Sequence, residues 1–115
     1  MGEMCDYLTS EWVAGDPLHL AAYVMWRLNW IHPFTNGNGR TSRVASYLIL
    51  CAKFQQNLPG DRTIPDIIDG DKGRYYAALD DADDSLLGGK MNVSSMEAVV
   101  RDALQIQLTE ALKGR

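Results

Sequence analysis

The chain has 115 residues, which is enough for one small domain with a single core and too few for two such cores. Its 46% hydrophobic and 23% charged residues are typical of a globular protein and argue against a disordered chain. The formal net charge of −4 argues against a nucleic-acid partner, because proteins that bind the phosphate backbone usually carry a basic excess.

The first half of the chain predicts a short helix and then a strong one. The short helix covers residues 3–13. Asp16 and Pro17 start the strong helix, since Asp16 can cap it and Pro17 suits a first turn, where a backbone donor is not needed. The helix must end at His32, because the residue before a proline is driven out of helical geometry. Its apolar stripe consists of Leu20, Val24, Leu28 and Ile31.

Helical spacing resumes over residues 40–56, after a loop. The apolar positions that predict the buried face of this helix are Val44, Leu48, and Cys51 or Ala52. Residues 57–70 hold two prolines and two glycines, which predicts a connection with at most a short turn at Ile67 and Ile68.

Two further helices are predicted, over residues 74–86 and 94–112. In the last one, Ser94 and Glu97 have the spacing of a capping box. Its apolar face is predicted at Met96, Val100, Ala103 or Leu104, Leu108 and Leu112. The tryptophans assigned to the core are Trp12, Trp26 and Trp30. No stretch is typical of a strand, so we predict an all-α fold.

The sequence also favours a cytoplasmic protein. No run approaches the roughly 18 to 20 apolar residues of a membrane-spanning helix, so we expect no membrane partner. Cys51 lies in an apolar run, far from Cys5, which suits a buried reduced thiol better than a disulfide. No charged-then-apolar secretory signal follows the first residues.

The loop between the two strongest helices is the main functional candidate. Successive backbone N–H groups of Gly37, Asn38 and Gly39 can point at one anion, and the following helix start adds donors and positive potential. Arg40 and Arg43 are three residues apart on that helix, so both can reach the same bound group. Two guanidinium groups beside such donors suit a polyphosphate. The predicted ligand is therefore a nucleotide or a similar phosphate ester.

His32 lies just before this loop, where Pro33 and Phe34 are predicted to anchor the chain. A histidine that titrates near neutral pH and faces a phosphate can accept a proton from an attacking hydroxyl. This predicts phosphoryl or nucleotidyl transfer. Each of these residues, taken singly, also fits a purely structural role. His19 has no such neighbours and is predicted to cap a backbone carbonyl.

At these residues the sequence resembles the Fic family, whose signature reads His-Pro-Phe, any residue, Asp or Glu, Gly-Asn-Gly-Arg, two further residues and Arg. The positions that match are His32, Pro33, Phe34, Gly37, Asn38, Gly39, Arg40 and Arg43. The likeness covers about residues 16–86, and with the helix of 94–112 we predict one Fic-like domain over 1–115, trimmed or minimal.

The resemblance implies a small all-α domain built around a helix, an anion-binding loop and a helix. It implies transfer of AMP from ATP to a Ser, Thr or Tyr hydroxyl of a target protein, with release of pyrophosphate. On this reading His32 deprotonates the target hydroxyl, residues 37–39 hold the phosphates, and Arg40 and Arg43 neutralise their charge. Gly39 favours AMP transfer, since the Doc branch, which phosphorylates its target, has Lys there.

One position departs from the family signature. Asn36 replaces the carboxylate that holds magnesium in the family. An amide oxygen still ligates Mg²⁺ but lacks the charge that hard cations favour, so we expect Mg²⁺ to bind with reduced affinity.

Three alternatives stay open. The domain transfers another phosphate-containing group, removes AMP from a modified protein, or is a catalytically idle helical binding module. The flap hairpin and the inhibitory helix of the family find no match in this sequence. Inhibition of the activity would then require a partner chain or a missing segment.

Overall fold

The computed structural model describes residues 2–12, 15–31 and 38–113, apart from the side chain of Asn38. Six helices make up most of these ranges, and no strand occurs in them, which confirms the all-α class. The helices are α1 (Gly2–Glu11), α2 (Pro17–Ile31), α3 (Asn38–Phe54), α4 (Ile64–Asp69), α5 (Lys72–Leu87) and α6 (Ser94–Lys113). None of the helices in these ranges is long and apolar enough to cross a membrane.

Helix α2 is the centre of the fold and contacts α1, α3, α5 and α6. It begins as the sequence predicts, because the Oδ1 atom of Asp16 accepts a hydrogen bond from the backbone N–H of Leu18 at 2.8 Å. Its buried residues run almost without a break, since neighbours cover it on several sides. They are Leu20, Ala21, Ala22, Tyr23, Val24, Met25, Trp26 and Leu28.

Helix α3 packs on α2 through a different face from the predicted one. Val44 is 45% exposed and Leu48 62% exposed, whereas Ser42, Ser46 and Leu50 are buried. The hydroxyl of Ser46 donates to the carbonyl oxygen of Ala21 at 2.7 Å. The predicted face was wrong because the contact with α2 is formed by small residues of α3. Small side chains let the two helix backbones approach each other closely, whereas apolar spacing points to the larger residues.

Helix α4 forms where the sequence predicts only a short turn. Its isoleucines Ile64, Ile67 and Ile68 are buried. The backbone N–H of Ile64 donates to the side-chain oxygen of Gln107 at 2.8 Å. The amide nitrogen of the same glutamine donates to the carbonyl oxygen of Pro59 at 2.9 Å and to the hydroxyl of Tyr47 at 3.0 Å. Gln107 thus ties α3, α4 and the loop before α4 to α6.

The buried stripe of α6 agrees with the prediction at Met96, Val100 and Ala103. Beyond Ala103 it differs, because Gln107 is the next buried residue. The predicted Leu108 and Leu112 are 36% and 73% exposed.

The predicted capping box at Ser94 does not form. The backbone N–H of Glu97 donates to the carbonyl oxygen of Val93 at 2.8 Å, and its carboxylate lies 3.0 Å from Nδ1 of His19. The other ring nitrogen of His19 bonds to the hydroxyl of Tyr7, so His19 joins three helices instead of capping a carbonyl as predicted.

The predicted assignment of all three tryptophans to the core is correct only for Trp26, which is 1% exposed. Trp12 is half-buried, and Trp30 is 44% exposed. Trp30 lies on the last turn of α2, two residues before the predicted functional loop in sequence. Its exposure leaves an aromatic ring accessible at this end of α2.

Candidate nucleotide-binding site

Some of the predicted site residues lie within the part of the chain that the structure describes, and the others lie outside it. Gly39, Arg40 and Arg43 lie on the first two turns of α3, and the backbone of Asn38 starts that helix. The others lie outside the described residues, so their assigned roles stay predictions. They are His32, Pro33, Phe34, Asn36 and Gly37.

Arg43 is fixed by two neighbours from other helices. The residue is 8% exposed. Its Nη2 atom lies 3.4 Å from Oδ1 of Asp69, and its guanidinium carbon lies 5.2 Å from the centre of the Tyr75 ring. This is the geometry of a cation–π contact combined with an ion pair. Arg40 is exposed to solvent one turn earlier. The prediction that both arginines reach the same bound group stays a prediction.

Gly39 gives the guanidinium of Arg43 the room that it occupies. A Cβ atom at position 39 would lie 3.1 Å from Nη1 of Arg43, closer than ordinary van der Waals contact. A side chain at this position would therefore push the guanidinium away by a few tenths of an ångström. The absence of a side chain at Gly39 therefore allows Arg43 to keep its position, in addition to the role predicted for Gly39 in binding phosphate.

A buried polar network connects the end of α2 with the start of α3. The Nδ2 atom of Asn29 lies 2.7 Å from Oγ of Ser42 and 2.6 Å from the hydroxyl of Tyr75. The hydroxyls of Ser42 and Tyr75 are 3.1 Å apart, and Ser42 donates to the carbonyl oxygen of Gly39 at 2.8 Å. These contacts join both sides of residues 32–37 to α5. Sequence reasoning missed the network, although Asn29 is a polar residue between the apolar Leu28 and Trp30.

A groove of about 350 Å³ lies beside the end of α2, against α5. The rings of Trp30 and Tyr76 line it, and they are 44% and 54% exposed. The carboxylates of Asp80 and Asp83 also line it, and Oδ1 of Asp83 accepts a hydrogen bond from Nε1 of Trp26 at 2.8 Å. Such a groove can stack a flat ring and accept hydrogen bonds from an amino group.

The groove was not predicted because its two sides are far apart in sequence. A signal was nevertheless present, since an aromatic residue at 76 and aspartates at 80 and 83 share one face of a helix at spacings of four and three. The sequence does not show that this face of α5 lies next to Trp30, because that depends on how α2 and α5 pack.

Among the described residues, no group of three or more His, Cys, Asp or Glu side chains is placed to hold a metal ion. The carboxylate of Asp69 already pairs with Arg43 and with the Nζ atom of Lys72 at 3.2 Å. The predicted metal ligand, Asn36, lies outside the described residues.

Comparison with known proteins finds one family that is similar to part of the chain. Residues 1–50 match the Fic/DOC family. These residues are therefore similar to the Fic/DOC family, and the motif at residues 32–43 lies within them.

Particular relatives agree with this assignment. The chain is 43% identical over 51 residues to protein adenylyltransferase fic-1 of Caenorhabditis briggsae, across 44% of this chain and 10% of that protein. It is 41% identical over 49 residues to protein adenylyltransferase fic-1 of Caenorhabditis elegans, across 42% and 10%. The matched region thus spans about a tenth of the length of these relatives. No solved structure matches the chain.

Proposed function

We propose that this domain transfers AMP from ATP to a hydroxyl side chain of a target protein and releases pyrophosphate. The observation that carries the proposal is the arrangement at the start of α3. There Arg43 is held against Asp69 and Tyr75, and Arg40 is exposed one turn earlier. The fic-1 relatives, which are named protein adenylyltransferases, support the same activity.

The two ends of ATP suit two parts of the described structure. The triphosphate binds at the N-terminus of α3, where free N–H groups, Arg40 and Arg43 supply positive charge. The adenine lies in the groove, where its ring contacts Trp30 and Tyr76 and its amino group donates to a carboxylate of α5. Asn29 borders the groove and also belongs to the polar network, so it adjoins both parts.

The reaction that follows is an in-line displacement at the α-phosphorus. The hydroxyl oxygen of the target forms the new bond, the bond between the α-phosphorus and the bridging oxygen breaks, and pyrophosphate leaves with that electron pair. His32 accepts the hydroxyl proton. Residues 37–39, Arg40 and Arg43 bind the phosphate oxygens on which charge develops.

Mg²⁺ is proposed to bind mainly through the phosphates, with the amide oxygen of Asn36 as its protein ligand. When bound, it supplies further neutralisation of phosphate charge. Because Asn36 is uncharged, we expect a higher Mg²⁺ requirement than a carboxylate would give. The proposed partners are ATP, a target protein with Ser, Thr or Tyr, and an inhibitory chain. The proposed location is the cytoplasm, where ATP is available.

Calorimetric titration of ATP into the purified chain, with and without Mg²⁺, tests the binding step. We expect saturable binding that Arg40→Ala removes and that Arg101→Ala leaves unchanged. Arg101 is a matched control, because it is an exposed arginine on α6. Absence of ATP binding under both conditions would reject the proposal.

Transfer is tested with ATP labelled at the α- or at the γ-phosphate, incubated with the chain and a protein extract. We expect label to reach protein from the α-position only, and His32→Ala to abolish it. Label from the γ-position would instead show phosphorylation. His32-independent labelling would assign the base to another residue.

A further inference from the structure

We infer that Tyr75 is a positioning residue, which holds Arg43 and the first turns of α3 in the arrangement that the nucleotide site requires. Its role as part of a nucleotide site rests on the proposed function. Its effect on the start of α3 follows from the contacts of the described residues alone. Tyr75 comes from α5, yet the polar contacts of its hydroxyl are with α2 and α3.

The hydroxyl of Tyr75 closes a directed chain of hydrogen bonds. Ser42 donates its only hydroxyl proton to the carbonyl oxygen of Gly39. Oγ of Ser42 therefore accepts, and the proton on the Tyr75 hydroxyl points to it across 3.1 Å. The oxygen of Tyr75 in turn lies 2.6 Å from Nδ2 of Asn29, whose two protons are shared among this oxygen, Oγ of Ser42 and the carbonyl oxygen of Met25. This series of hydrogen bonds ends at the carbonyl oxygen of Gly39, next to the backbone N–H groups of α3 that are proposed to bind phosphate.

The ring of Tyr75 acts on Arg43. The guanidinium lies over the ring at 5.2 Å, and Tyr75 is 1% exposed, so the ring itself cannot shift without opening the core. Asp69 is the other residue that contacts the guanidinium of Arg43. Its carboxylate is half-exposed and also pairs with Lys72. Tyr75 is therefore the firmer of the two supports.

Packing alone does not require the hydroxyl. A phenylalanine would fill the same buried volume and would keep the ring beneath Arg43. What it would remove is the link from α5 to Asn29 and Ser42, the residues on either side of 32–37. A buried hydroxyl that joins these two helix ends distinguishes a positioning role from filling of the core.

The test compares Tyr75→Phe with Tyr47→Phe in the full chain. The control removes the hydroxyl of another tyrosine, the half-buried Tyr47, which contacts Gln107 at 3.0 Å and neither Asn29 nor Ser42. Hydrogen exchange of the peptide covering residues 38–43 is measured without ligand. We expect exchange there to be about fivefold faster in Tyr75→Phe and unchanged in Tyr47→Phe. Ser42→Ala should reproduce the effect.

ATP affinity is the second measurement. We expect Tyr75→Phe to weaken ATP binding by about three- to tenfold, while Tyr47→Phe binds as the original chain does despite its own loss of stability to urea. Unchanged exchange in Tyr75→Phe, or equal changes in both variants, would overturn the inference. Faster exchange in a chain that binds no ATP would retain the positioning role and reject the proposed function.

Discussion

Asp69 and Arg43 form an ion pair between the last residue of α4 and the second turn of α3, with Nη2 and Oδ1 3.4 Å apart. The carboxylate is 54% exposed, whereas the arginine side chain is 10% exposed. The pair therefore places a negative charge from the protein beside a guanidinium assigned to phosphate. Asp69 and a bound phosphate compete for the same cation.

We expect Asp69→Asn to bind ATP more tightly, by about two- to fivefold, because an exposed charge of this kind contributes about 0.5–1 kcal/mol. Calorimetry on both proteins measures the change. Asp66→Asn removes the same charge from the same helix and should leave ATP affinity unaltered. Weaker binding by Asp69→Asn would mean that Asp69 orients Arg43 more than it competes for it.

Tyr76 tests whether the groove holds the adenine. Replacing it with leucine removes a stacking surface, so ATP affinity should fall by about tenfold. Affinity for inorganic tripolyphosphate should not change, because that probe has no base. Leu87→Ala, at an exposed position on the same helix, is the control for both titrations. Equal losses for ATP and tripolyphosphate would assign Tyr76 to the phosphate end.

The face that α3 turns toward α2 is testable by stability alone. Leu48 is 62% exposed, so Leu48→Ser should alter the free energy of unfolding by less than about 0.5 kcal/mol. Ser46 is 1% exposed, so Ser46→Leu should overpack the contact and destabilise by about 1–3 kcal/mol. Urea unfolding of the two variants measures both values. A larger loss of stability in Leu48→Ser than in Ser46→Leu would instead support the buried face that apolar spacing predicts.

Asp102 provides a prediction for pH. The hydrogen bond from Arg74, at 2.7 Å, lowers the pKa of Asp102 below its usual value of 3.8. A carboxylate with a lowered folded-state pKa stabilises the fold above the unfolded pKa, and this stabilisation disappears as pH falls through the lowered value.

Asp102→Asn should therefore unfold at lower urea concentration than the original chain at pH 7, with the difference shrinking below about pH 4. The difference should also shrink in 1 M salt, because the pair is exposed. Asp84→Asn, which is exposed on α5, is the comparison at each pH. A difference that persists at pH 2 would have a cause other than ionisation of Asp102.

Local signals predicted the start of α2 correctly. Asp16 caps the helix through its own side chain. The predicted end at His32 lies outside the described residues and stays a prediction. Such signals depend on atoms only a few residues apart, so they are present in the sequence itself. The Fic signature is local for the same reason, and the family match agrees with it.

Signals that depend on a distant partner were misleading. Glu97 has the spacing of a capping box with Ser94, but its carboxylate pairs with His19, 78 residues earlier. Leu108 and Leu112 continue an apolar stripe, but Gln107 takes the buried position, because three groups from other segments bond to it. An amide becomes favourable in the core only when its partners arrive from elsewhere.

By itself, the sequence determined the all-α class, the approximate positions of the main helices and the likeness to the Fic family, because helix periodicity, caps and a twelve-residue motif are properties of neighbouring residues. Only the tertiary structure decided which face of α3 is buried, that Arg43 lies between Asp69 and Tyr75, and that Trp30 and Tyr76 share a groove. Each of these depends on how two helices distant in the chain approach each other, and that distance is set by side-chain size and hydrogen bonding at the contact.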